Sequence, residues 1–144
     1  MFFWSNIKFY IKKKFSTYVA LNCLDKKLEK YLNYKNGFYI EMGANDGISQ
    51  SNTMFLEKKY NWHGMLIEPS EKFTLLKNNR STKNIFSNAA CCSFKNRDKN
   101  IKFAYYNLMT LALNLQTDVN VKKHKINAKK FSKNSYEFVK KGIP

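Results

Sequence analysis

Three short apolar runs, Phe38 to Met42, Met65 to Ile67 and Ile85 to Cys92, recur along the middle of the chain with helix-length intervals between them. Runs of this length read as buried strands, the first of them being rich in aromatic and branched residues and bounded by glycine on both sides. The first interval opens with Ser51, Asn52 and Thr53, any of which can cap a helix to about Tyr60 that turns Met54, Phe55 and Tyr60 inward. In the second, Ser70 can cap a helix to about Asn79 with Phe73, Leu75 and Leu76 as its apolar residues. Strand, helix, strand, helix, strand is the order of crossover units in a parallel sheet, so the pattern predicts an α/β fold.

The flanks are less constrained. Tyr18, Leu21, Leu24, Leu28, Tyr31 and Leu32 recur at steps of three and four, which predicts an amphipathic helix from about 17 to 33, stopped by Asn36-Gly37. Residues 1–36 then form a helical lead-in to a domain over 37–144, within the usual size of one domain. Ile101 to Tyr106 predicts a further strand. Residues 107–117 fit helix or loop, Val119, Val121 and Ile126 suggest a weak strand, and Phe131 to Lys141 a closing helix.

Charge narrows the function classes. The net charge is +16, carried by 24 lysines and two arginines. Arginine is the residue favoured for bidentate recognition of phosphate and guanine, so the excess does not read as a nucleic-acid code. It is also uneven. Residues 1–35 hold eight lysines against two acids and residues 95–144 twelve basic residues against three acids, while residues 36–94 hold six against five. A basic module holding nucleic acid or an anionic surface through the two ends is the alternative reading, and specific nucleic-acid binding is not expected.

The opening MFFWSNIKFYIKKK is apolar and then basic, but Ser5, Asn6 and Lys8 interrupt it and it is far short of the roughly 20 apolar residues of a membrane span. Packing on the fold is expected, with peripheral membrane contact through residues 1–14 as the alternative. Cys23, Cys91 and Cys92 have no zinc-site spacing and read as buried reduced thiols of a cytoplasmic protein, and no metal is expected. His124, within Lys-Lys-His-Lys, reads as solvated.

Chemistry concentrates where the first predicted strand ends, in GANDGISQ. Gly43 and Gly47 permit a sharp turn and close approach to the backbone, and Asn45 and Asp46 tolerate that geometry. Alone, such a pair is more often structural than functional. Glu68 adds weight, because it ends the second strand 21 residues after Gly47, where a nucleotide-binding crossover fold places a carboxylate on the ribose hydroxyls. A dinucleotide loop needs a third glycine, and its position holds Gln50. Glu41, just before the loop, would repel a pyrophosphate and suit an ammonium group, which favours S-adenosylmethionine over NAD.

The stretches YIEMGANDG, SNTMFLEKKYNWHGMLIEPS, LLKNNR and SNAACCS, spanning about residues 38 to 93, resemble the FkbM-type methyltransferases. The resemblance implies a Rossmann-like, class I methyltransferase fold, a mostly parallel seven-stranded sheet with flanking helices. It also implies methyl transfer from S-adenosylmethionine to a hydroxyl of a small molecule or sugar. Carried over by position, Glu41, Gly43, Ala44, Asn45 and Gly47 would surround the methionine part of the cofactor. Glu68 would bind the ribose, Asn88 and Ala89 would lie near the adenine, and Ser51, Asn52 and Thr53 would cap a helix or face the cofactor. No residue stands out as the catalytic base; His63 precedes the second strand, on the side opposite the expected site. The family's fourth core strand and its acidic Asp-x-Glu-Gly type motif have no counterpart before Pro144. The chain is therefore expected to be the N-terminal portion of such a domain, truncated, completed by a separate C-terminal half, or paired as a homodimer through the exposed edge of the first strand.

Overall fold

The structure, a computed structural model, describes residues 15–132 and 134–144. The expectations for residues 1–14 lie outside them. The described residues divide into two compact units, one ending at Ser87 and the other beginning at Asn88.

In the first unit, β1 (Phe38–Met42), β2 (His63–Ile67) and β3 (Ile85–Ser87) form a parallel sheet in that order. The register runs from Phe38 opposite His63 to Met42 opposite Ile67, and Met65 to Ile67 continue onto Ile85 to Ser87. Parallel neighbours need a crossover, and the connections carry α2 (Met54–Tyr60) and α3 (Phe73–Asn79), numbered after α1 (Leu24–Glu29). The sheet residues Tyr39 and Leu66 join Phe55 and Leu56 of α2, Leu76 of α3, Ala44 and Trp62 in one core, with Phe86 packed against it. Both crossover helices therefore cover the same face. Of the helical residues expected inside, Met54, Phe55 and Leu76 are buried, Tyr60 and Phe73 half-buried, and Leu75 exposed.

Close approach explains two glycines here. A Cβ on Gly37 would sit 2.4 Å from the Trp62 ring, and one on Gly64 2.3 Å from the Tyr39 carbonyl oxygen.

The long amphipathic helix expected over 17–33 is a correction. A 3-10 turn, Leu21–Cys23, with Asn22 and Cys23 in the left-handed region, precedes the six-residue α1. The cause is Asp25, 1% exposed, whose carboxylate accepts N–H bonds from Val19, Ala20 and Lys26 and holds the preceding chain out of helical geometry. Tyr18, Leu28 and Leu32 still pack on the core, whereas Leu21, Leu24 and Tyr31 are exposed.

In the second unit, β4 (Ala90–Cys91), β5 (Asn100–Tyr105), β6 (Leu111–Ala112) and β7 (Tyr136–Ile143) form a mixed sheet in the order β4-β7-β5-β6. α4 (Val121–Phe131) buries Ala128 against Ala104 and Tyr106. The described strands thus fall into two sheets, of which only the first is wholly parallel, rather than into a single seven-stranded one.

Two expected elements exchange type. Of the weak strand expected at Val119, Val121 and Ile126, the last two lie in α4 and Val119 precedes it; the helix start is fixed by Asn120 Oδ1 accepting the Lys123 N–H at 2.9 Å. The expected closing helix is the strand β7, because Tyr136 and Phe138, two apart, stack across the ladder on Tyr105 and Phe103 at 4.6 and 5.0 Å between ring centres. The third strand is shorter than expected. Its pairing with β2 stops at Ser87, and Ala90–Cys91 pairs instead with Gly142 and Ile143. His124 is half-buried with Nε2 2.8 Å from the Met109 carbonyl oxygen, not solvated. The cysteines are unpaired thiols but not buried ones, since Cys23 and Cys91 are exposed and Cys92 half-exposed. Among the described residues no helix is long and apolar enough to cross a membrane.

Candidate functional site

The loop after β1 and the carboxylate after β2 meet at the carboxyl end of the parallel sheet. Gly43 and Ala44 both donate N–H bonds to the Ile67 carbonyl, at 2.9 and 3.0 Å. One residue further on, Asn45 N–H donates to Glu68 Oε2 at 2.8 Å, while Oε1 accepts the Ser70 N–H at 2.8 Å. Glu68 itself is 7% exposed, and its own N–H donates to the Ser87 carbonyl of β3. Gly43, Asn45 and Glu68 therefore stand on one rim.

Positive φ angles at Gly43 (72°), Asn45 (49°), Gly47 (80°) and Gln50 (63°) curl the loop. Asp46 closes its far side by accepting from the Ile48 and Ser49 N–H groups and the Ser49 hydroxyl, an Asx-type turn that buries Ile48 completely. The two glycines differ in what surrounds them. Around Gly43 a Cβ would meet nothing within 4 Å. At Gly47 it would lie 2.7 Å from Arg80 Cγ and 2.9 Å from Leu76 Cδ1, so the close approach there is made by the protein's own α3 end.

Arg80 is what the sequence reading missed. Its side chain is 1% exposed and lies under the loop. Nε donates to Glu57 Oε1 at 2.6 Å and Nη1 to Glu41 Oε2 at 3.1 Å, to Ser51 Oγ at 3.1 Å and to the Gly47 carbonyl at 3.3 Å. Nη2 donates to the Tyr39 hydroxyl at 2.8 Å and Thr53 Oγ1 at 2.9 Å. Burial works against this charge, yet Glu57, Tyr39 and Glu41 beside it raise the guanidinium above its ordinary range. Burial, partly offset by Arg80, pushes the Tyr39 phenol well up, so it stays a neutral donor to Glu57. One sequence signal pointed here: in a chain with 24 lysines, an arginine at 80 marks a place where the planar fork is needed.

Glu41 consequently has partners within the fold. Its carboxylate accepts the Ser51 and Thr53 hydroxyls and the Asn52 N–H besides Arg80. Ser51 Oγ in turn accepts the Met54 N–H at the start of α2, so Ser51 caps the helix, while Asn52 and Thr53 tie its start to β1 through Glu41. Ala44 is buried in the core cluster. Asn88, exposed, and Ala89, buried, belong to the second unit. His63 begins β2, at the end of that strand remote from Glu68. Among the described residues no cluster of His, Cys, Asp or Glu is arranged to hold a metal ion.

These features define an α/β protein with a three-stranded parallel sheet, whose polar loop and carboxylate share the carboxyl rim. No protein-family model, curated protein or solved structure matches the chain.

Proposed function

We propose that the chain carries the cofactor-binding part of a Rossmann-like, S-adenosylmethionine-dependent methyltransferase that acts on a hydroxyl oxygen of a small molecule or sugar. The observation that carries this reading is the Asn45 N–H to Glu68 Oε2 bond beside the open Gly43, which sets a carboxylate and bare backbone side by side on one rim. Ligands of open parallel sheets lie beyond the carboxyl ends of the strands, as this rim does.

In this reading Glu68 accepts the ribose hydroxyls. Gly43 leaves room for the methionine portion, with its φ of 72° holding the turn. Glu41 serves indirectly, by fixing Ser51 to Thr53 and sharing Arg80 with the loop. The cofactor supplies an electrophilic sulfonium methyl, and the protein's task is in-line placement, worth roughly 7–11 kcal/mol in favourable cases.

Calorimetric titration with S-adenosylhomocysteine tests the proposal. Binding is expected in the wild-type chain, and Glu68→Gln should weaken it about 10- to 100-fold, the worth of one hydrogen bond to a charged group. Unchanged affinity in a folded Glu68→Gln chain, or no binding by a folded wild-type chain, refutes it. NAD in parallel separates a dinucleotide site. Affinity that collapses with salt and ignores Glu68 would belong to the basic-module alternative.

A further inference from the structure

β1 ends the first sheet, with β2 on one side and, among the described residues, no strand on the other. Its side chains toward α2 and α3 are Tyr39 and Glu41. Those on the opposite face, Phe38, Ile40 and Met42, are 51%, 63% and 69% exposed. Ile85, on the same face through its pairing with Met65, is 52% exposed.

The main chain of β1 has a definite polarity. The Gly37 carbonyl accepts from His63 N–H and Gly43 N–H donates to the Ile67 carbonyl, so the odd-numbered residues direct their N–H and C=O groups to β2. By the alternation of a strand, Phe38, Ile40 and Met42 direct theirs to the open edge. Protein edges of this kind are normally blunted by lysine, proline or a bulge. In a chain with 24 lysines, β1 contains none of these.

We infer that the β1 edge is a self-association surface that pairs antiparallel with β1 of a second copy about a two-fold axis through Ile40. The five-residue strand is self-complementary in that register. Ile40 faces Ile40 of the second copy and Phe38 faces Met42, all three positions being ones whose backbone groups point outward. The partner is a second copy because the outward register is self-complementary and matches apolar residues at every position, Phe38, Ile40 and Met42 being the exposed ones. Side chains of this size present on the order of 150–200 Å² each, so the three positions offer roughly 300 Å² per copy at their observed exposure. That lies below the roughly 800 Å² per partner of a standard interface and indicates a weak dimer, with a dissociation constant at the micromolar end of the usual range or above it. The inference is independent of any cofactor.

Sedimentation equilibrium from about 1 to 200 µM reads the association over the range that such a constant requires. The wild-type chain is expected to go from monomer to dimer. Ile40→Pro deletes an N–H that faces the open edge and leaves the β1–β2 ladder intact, so it should be monomeric with an unchanged circular dichroism spectrum. Ile40→Lys, at an exposed position, gives the same reading should the proline variant not fold. Ile85→Lys alters the same face away from the edge and should still dimerise. A wild-type chain monomeric throughout overturns the inference and leaves the edge to a strand of another polypeptide. So does a dimer that survives both Ile40 variants, or one abolished by Ile85→Lys, which would indicate face-to-face packing.

Discussion

Replacing Arg80 with methionine removes the cation from a site that its 1% exposed side chain shares with Glu41 and Glu57, themselves 12% and 11% exposed. Two carboxylates and the Tyr39 hydroxyl would then lose their common donor inside the fold. Breaking a buried pair by deleting one partner costs about 3–5 kcal/mol, because the remaining charge stays desolvated. The upper end is expected, since one guanidinium serves both acids and also holds the Gly47 carbonyl and the Ser51 and Thr53 hydroxyls. Against a typical total of about 5–15 kcal/mol, this removes a large part of the first unit's stability. Urea unfolding followed by circular dichroism should show a large fall in midpoint with little change in slope. Arg80→Met combined with Glu57→Gln should be less destabilised than the two single losses added together, because the second change removes the stranded charge. A loss below about 1 kcal/mol in Arg80→Met would show that the cluster is solvated and that the reasoning from burial is wrong.

The two loop glycines should respond differently to alanine. Gly43→Ala has space and should cost only the left-handed backbone term of about 1–2 kcal/mol, whereas Gly47→Ala should cost distinctly more because its Cβ meets Arg80 and Leu76; equal losses in urea would contradict the geometry. Glu29 is held at about 2, down from 4.5, first by the Lys59 hydrogen bond and then by that from Tyr18. Its folded value being the lower, its contribution is complete above pH 4.5 and lost as pH falls toward 2. A carboxyl NMR titration should find that midpoint, and Lys59→Ala should move it upward; an ordinary midpoint in the wild-type chain would refute the contact.

Much of the first unit was legible in the chain because its signals are local. Phe38–Met42 forms a strand with the predicted ends, since an apolar run between two glycines needs no distant partner to declare itself. The turn chemistry of residues 43 to 50 and a carboxylate directly after β2 were likewise readable. The second unit was not. Tyr136 and Phe138 fit a helix or a strand until Phe103 and Tyr105, more than 30 residues away, supply rings to stack on. Val121 and Ile126 looked strand-like because branched residues carry a propensity that the Asn120 cap and the burial of Ala128 override.

What the sequence determined alone was the parallel α/β core and the small polar loop at its rim, for both follow from spacing along the chain. Only the tertiary structure decided where the acids of that rim go. Glu41 and Glu68 look alike in the chain, one inside the end of an apolar strand and the other directly after one, and both were expected to face a ligand. In the fold one neutralises a buried arginine 39 residues away and the other holds the backbone of Asn45. A carboxylate's role depends on which donors the packing brings within about 3 Å, and that distance is set by contacts between elements rather than by neighbours in sequence.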